Sequence, residues 1–239
     1  HPTDPNNLFV SSYNGLQHST DGGQSWTTPI TGTVWDLAFH PTNSEVLYAL
    51  KSNGTINRCE LFRSDDGGVT FAIKESGYYY PEVPAEANDG GGRIGVTPAA
   101  PDYVYVALIG KSKAEDSGWI GLWRSTDSGE NWSNENGQIG GPYDADTHPS
   151  IATSNADGTG IYQGFYDFDM DVSHNDPDRV WVGVMSLSVT NDGGATWQRI
   201  GGYGASTYDI GWVHPDVQAI TITGDDIWVT TDGGVNYSN

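Results

Sequence analysis

One eight-residue pattern constrains this chain more than any other feature. Ser19-Thr20-Asp21-Gly22-Gly23-Gln24-Ser25-Trp26 recurs as Ser64-Asp65-Asp66-Gly67-Gly68-Val69-Thr70-Phe71, as Ser125-Thr126-Asp127-Ser128-Gly129-Glu130-Asn131-Trp132 and as Thr190-Asn191-Asp192-Gly193-Gly194-Ala195-Thr196-Trp197. Self-similarity with a fixed internal order is the signature of a repeat architecture, in which each repeat is one small unit packed on its neighbours. A proline-marked turn and an apolar, β-prone run precede each copy. Pro5 stands before Leu8-Phe9-Val10, Pro41 before Val46-Leu47-Tyr48, Pro101 before Val104-Tyr105-Val106, and Pro177 before Val180-Trp181-Val182. Each unit therefore reads as short strands joined by turns.

The box aspartates at 21, 66, 127 and 192 are 45, 61 and 65 residues apart, enough for about four short strands and their loops. That is the size of a β-propeller blade. Locally, the Asp carboxylate accepts backbone N–H bonds within a tight turn, and glycine supplies positive φ without steric cost. The aromatic five positions after each Asp is expected to plug the space between neighbouring sheets. Asp21 with Trp26, Asp66 with Phe71, Asp127 with Trp132 and Asp192 with Trp197 are thus assigned to scaffolding and not to chemistry. A fifth apparent box at Asp232 lies only three residues after Val229, so it is read as a hairpin turn between the second and third strands of a blade.

Composition narrows the function classes. With 31 acidic against 10 basic residues and a formal charge of −21, the chain repels phosphates and anionic headgroups, which argues against nucleic-acid and anionic-membrane partners. No apolar run approaches the roughly 18 residues needed to span a bilayer. The single cysteine, Cys59, cannot form an internal disulfide. Low lysine with abundant Asp, Asn, Thr, Ser and Gly suits a secreted or cell-surface protein of bacterial type. No cofactor is implied. Acidic loops such as Asp144-Ala145-Asp146 could hold calcium, but none has an established loop spacing, and the histidines show no paired metal spacing.

The boxes resemble the Asp-box repeats of sialidases, sortilin-type receptors and xyloglucanase-like glycoside hydrolases. The likeness is nearest to the sortilin-like propellers of large bacterial surface and secreted proteins, through Gly164-Phe165-Tyr166-Asp167 and Val213-His214-Pro215-Asp216. The resemblance implies an all-β propeller. Blade units are expected at about 1–33, 34–90, 91–165, 166–207 and 208–239. The chain opens on the second strand of one blade and stops near the third strand of the fifth. The expectation is therefore an incomplete set of four to five blades, covalently continuous with a larger propeller, with a small self-closed ring as the alternative.

Aligned inner strands place Asp36, Arg93 and Asp169 at equivalent positions facing the channel, with Asp167 and Asp171 on the same face. Such a set could bind a cation or a sugar, or supply paired carboxylates for glycosidic cleavage. A sialidase-like mechanism requires a three-arginine clamp. Four of the six arginines here are repeat-surface residues, which leaves Arg58 and Arg93. Trp228-Val229-Thr230-Thr231-Asp232-Gly233-Gly234 partly resembles the catalytic stretch of xyloglucanase-like enzymes, which makes Asp232 a catalytic candidate beside Asp169 and Asp36. Trp35 and an exposed Tyr78-Tyr79-Tyr80 triplet, together with Arg93 and Asp167, are the ligand-binding candidates. The functional expectation is a non-catalytic extracellular segment presenting loops to a protein or glycan. The alternative is a xyloglucanase-like glycoside hydrolase acting on a neutral polysaccharide.

Overall fold

A computed structural model describes residues 1–54, 58–80, 91–110, 118–134, 139–203 and 212–239. The described residues form five antiparallel sheets and no helix, so none is long and apolar enough to cross a membrane. The first sheet holds β1 (Leu8–Ser12), β2 (Gly15–Ser19) and β3 (Thr27–Thr31). The second holds β4 (Val34–His40), β5 (Asn43–Asn53), β6 (Arg58–Ser64) and β7 (Ala72–Ile73). The third holds β8 (Gly91–Val96), β9 (Val104–Gly110), β10 (Gly118–Ser125) and β11 (Ser133–Asn134). The fourth holds β12 (Asp169–Val172), β13 (Val180–Gly183), β14 (Leu187–Thr190) and β15 (Gln198–Arg199). The fifth holds β16 (Val217–Thr223), β17 (Asp226–Thr231) and β18 (Gly234–Ser238).

Strand order follows chain order in every sheet, and β4, β8, β12 and β16 lie side by side as successive inner strands. These sheets are β-propeller blades. The second and third strands of each central blade are covered on both faces, which is why they read as continuous apolar runs and not as alternating ones. All seven residues of β9 are buried. The two-residue outer strands are exposed or half-buried.

Each box closes on itself. Asp21 Oδ1 accepts the Gln24 and Ser25 N–H groups at 2.9 and 2.8 Å, and its Oδ2 accepts the Ser25 hydroxyl at 2.6 Å. Asp66, Asp127 and Asp192 repeat the arrangement with Thr70, Asn131 and Thr196. The glycines after Asp21, Asp66 and Asp192 have φ between 70° and 107°. The third box departs, with Ser128 at φ 56° in the place of the first glycine.

The box aromatic reaches back onto the preceding blade. Phe71 joins Phe9 and Leu16 of the first sheet, Trp132 joins Tyr48 and Leu61 of the second, and Trp197 joins Tyr105 and Leu122 of the third. Trp26 corrects the expectation of a buried plug. It is 41% exposed, because no described sheet lies on that side of the first blade.

The turn at Asp232 joins β17 to β18, with Thr231 paired to Gly234 across Asp232-Gly233. The blade boundaries expected near residues 90 and 207 fall outside the described residues.

Candidate functional site

Because strands alternate in direction, each blade sends its loops to one of two ends. The boxes and the inner-to-second turns share one end. The starts of the inner strands, the described second-to-third turns and the insertion at 139–168 share the other.

The inner-strand carboxylates are tied to the next blade. Asp36 Oδ2 accepts the Ile94 N–H of β8 at 2.8 Å. Asp169 and Asp171 of β12 accept the Ile220 and Ile222 N–H groups of β16 at 2.7 and 2.8 Å. Arg93 Nε donates to the Phe168 carbonyl at 2.8 Å and lies 3.6 Å from Asp169 Oδ1. Burial pushes the Asp36 and Asp171 carboxyls up to about 6 against these bonds, and raises that of Asp169. Asp36, Arg93 and Asp169 lie half-buried on successive inner strands, and what they grip is the neighbouring backbone.

At the insertion end, side chains from two blades converge. Asp167, just before β12, is fully buried. Gln218 of β16 donates its Nε2 to Asp167 Oδ1 at 3.3 Å and to Asp232 Oδ1 at 3.1 Å. Asp167 Oδ2 and Asp216 Oδ1 are buried without a hydrogen-bond partner among the described residues. Burial first, and then the Asp216 and Asp232 charges, push the Asp167 carboxyl up to about 7. Burial and Asp232 also raise Asp216. Asp216 adopts φ 66°, in the left-handed region that Asp tolerates better than most residues. The turn at Gly233 lies so close to the His214 ring that a Cβ there would stand 2.5 Å from it. Among the described residues, no three His, Cys, Asp or Glu side chains are arranged to hold a metal ion.

Asp232 is exposed, and one amide nitrogen spans it and Asp167, so the bonded oxygens are at most about 6.4 Å apart. Paired-carboxylate glycosidases use separations of roughly 5–5.5 or 6.5–9.5 Å. Phe165 and Tyr166, immediately before Asp167, are 60% and 62% exposed.

The tyrosine triplet is not an exposed loop. Tyr78 and Tyr79 are buried against Trp123, and Tyr78 also meets Trp132 edge-on at 5.3 Å between ring centroids. The apolar space beside the third blade absorbs both rings. Only Tyr80 is exposed, with the Arg58 guanidinium 5.1 Å from its ring centroid. Trp35 packs against the same core and over Gly91, so it is no open platform. Arg58 bonds the Tyr79 carbonyl and Glu75, so neither it nor Arg93 stands free for an anion clamp.

The sequence pattern did not single out Gln218, and it offered Asp216 only as part of a stretch. The available signal was their two-residue spacing at the start of an inner strand, matching Asp167 and Asp169.

No family model matches this chain, and no curated protein matches it. Solved structures do. A GH74 xyloglucanase from Xanthomonas campestris superposes with a TM-score of 0.59 at 16% identity, over 99% of this chain and 36% of that one. An α-L-arabinanase from Penicillium chrysogenum, complexed with arabinobiose, gives 0.52 at 14% identity, over 99% of this chain and 69% of that one. YCF48 from Cyanidioschyzon merolae gives 0.51 at 15% identity, over 99% of this chain and 64% of that one. The chain spans about a third of the length of the xyloglucanase. At these identities the likeness is one of fold, and the fold of this chain is that of β-propeller blades.

Proposed function

We propose that this chain is a segment of a secreted or cell-surface propeller of the Asp-box kind, continuous with further domains, and that its insertion end holds a neutral glycan without cleaving it. The observation that carries this reading is the exposed Phe165-Tyr166 pair beside a cluster of oxygen acceptors formed by Asp216, Asp232 and Gln218. Aromatic faces stack on sugar rings, while carboxylates and amides accept and donate hydrogen bonds to hydroxyls. The charge of −21 disfavours an anionic ligand. The channel carboxylates are committed to backbone N–H groups, which supports binding over turnover. The xyloglucanase and arabinanase among the structural likenesses make neutral polysaccharides the first class to test.

A glycoside hydrolase is the second reading, and one observation favours it. Burial raises the Asp167 carboxyl to about 7 beside an exposed Asp232, and two carboxyls in different environments are the raw material of acid–base cleavage. Full burial of Asp167 opposes this reading, since a general acid must touch the bond it breaks.

The two readings separate in one experiment, with calorimetric titration and product analysis on xyloglucan and arabinan oligosaccharides. The expected result is binding without product, weakened at least about tenfold by joint Phe165→Ala and Tyr166→Ala substitution. Product release that Asp232→Asn abolishes would establish the hydrolase, and absence of binding to every neutral glycan would end the glycan reading.

A further inference from the structure

The insertion at 139–168 folds back on itself just before the Phe165-Tyr166 pair. Thr153 and Tyr162 pair in antiparallel fashion, and the Ser154 N–H donates to the Ile161 carbonyl at 2.9 Å, so residues 153–162 form a narrow hairpin. At its tip, Ser154, Asn155 and Asp157 meet Arg199 and Tyr203 around a cavity of about 280 Å³. At its base, the Tyr162 ring meets Phe165 edge-on, 6.4 Å between centroids. Between the two, Ile161 is 52% exposed. The hairpin therefore carries one surface from Tyr203 over Ile161 to Phe165 and Tyr166.

The cavity offers both kinds of hydrogen-bonding group. Arg199 Nη1 donates to the Ser154 carbonyl at 2.6 Å, and its Nη2 to the Thr153 and Ser150 carbonyls at 3.2 and 3.3 Å. Arg58, Arg63, Arg93 and Arg124 each face a carboxylate, whereas Arg199 has none among the described residues. A guanidinium has five N–H donors, so part of its capacity is left for a ligand. The hairpin tip supplies acceptors. Asp157 Oδ1 takes the Thr159 N–H and hydroxyl at 2.9 and 2.6 Å, and Asn155 donates its Nδ2 to the Thr159 hydroxyl at 3.0 Å. Asp157 Oδ2 and Asn155 Oδ1 accept no hydrogen bond among the described residues. Tyr203, 40% exposed, adds a ring.

We infer that the Tyr203 cavity is a second sugar subsite, and that one neutral glycan chain runs from it across Ile161 to the Phe165-Tyr166 pair. The inference rests on the glycan reading above and names its ligand class, a chain longer than a disaccharide. Sugar hydroxyls both donate and accept, so they need the mixed lining that Arg199, Asn155 and Asp157 provide, and the Tyr203 ring takes an apolar sugar face. Pockets that enclose a whole small-molecule ligand run from about 300 to 1,000 Å³. At about 280 Å³ this one holds part of a ligand. Two subsites joined by one chain bind it more tightly than either alone, because filling the first raises the effective concentration at the second.

The test is calorimetric titration of the full chain with arabinan oligosaccharides from disaccharide to octasaccharide, and with xyloglucan oligosaccharides of one and of two repeating units. The expected result, in at least one series, is an affinity that rises at least tenfold from the shortest member to the longest. Tyr203→Ala is expected to abolish that rise, whereas Tyr203→Phe, which keeps the ring, retains most of it. Tyr203 is exposed, so neither variant threatens folding. Equal affinity for short and long chains, or a rise with length that persists in Tyr203→Ala, overturns the second subsite while leaving the glycan reading in place. Binding of no member of either series overturns both.

Discussion

Trp132→Ala is expected to destabilise the chain by about 3–5 kcal/mol, whereas Trp26→Ala, the same change at the same box position, costs under about 1 kcal/mol. Both tryptophans donate their indole N–H to the glycine carbonyl three residues earlier, at 3.0 Å in each case. The local turn is therefore the same. The difference lies in packing, since Trp132 is 7% exposed and Trp26 41%. Trp132 fills the space between the second and third blades, against Tyr48, Leu61, Tyr78 and Trp123, and its backbone N–H donates to the Ser76 carbonyl at 2.8 Å. Truncation there leaves a cavity that several large side chains cannot close. Urea unfolding followed by circular dichroism measures both variants. Equal losses at the two positions would mean that the box aromatic acts within its own turn and not on the preceding blade.

Stability is expected to fall by a few kcal/mol as pH rises from 5 to 8, the reverse of a protein held together by salt bridges. Folding raises the carboxyls of Asp36 and Asp171 from 3.8 to about 6, and that of Asp167 to about 7. Between about pH 4 and pH 7 the folded chain therefore holds protons that the unfolded chain has released. Stability contributed by those protons is present at the acid end of this window and lost as pH rises through the folded values, at about 1.4 kcal/mol per pH unit for each full proton. The box aspartates act in the opposite sense. Their hydrogen bonds push Asp21 and Asp66 down to about 2, so their contribution is lost only as pH falls from the ordinary carboxylate range towards 2. The optimum is expected between pH 4 and 5. Urea midpoints across pH 4–8 give the profile, and Asp167→Asn, which fixes a neutral side chain in place, should flatten it between pH 6 and 8. A profile that rises towards pH 8, or a variant that keeps the wild-type slope, contradicts this account.

The two expectations differ in what the sequence already contained. The box, its self-bonded aspartate and the hairpin at Asp232 were legible because all their partners lie within five residues of one another. The placement of Asp36, Arg93 and Asp169 on successive inner strands was legible too, since the repeated strand and turn pattern carries it. Their partners were not, because Asp169 reaches Ile220, a residue 51 positions away on another blade. The tyrosine triplet misled for a related reason. Polar-tipped rings beside a proline-rich stretch have the composition of a surface loop, and only the neighbouring Trp123 and Trp132 turn two of the three into core.

By itself, the sequence determined the unit of construction: a short-range turn chemistry, repeated at blade-sized intervals, that commits the chain to antiparallel sheets. Tertiary structure alone decided which carboxyls are raised by burial, which box aromatics are buried and where a cavity opens. Burial and charge sharing depend on which surfaces face each other, and in a propeller those surfaces belong to different blades, brought together by stacking and not by proximity along the chain.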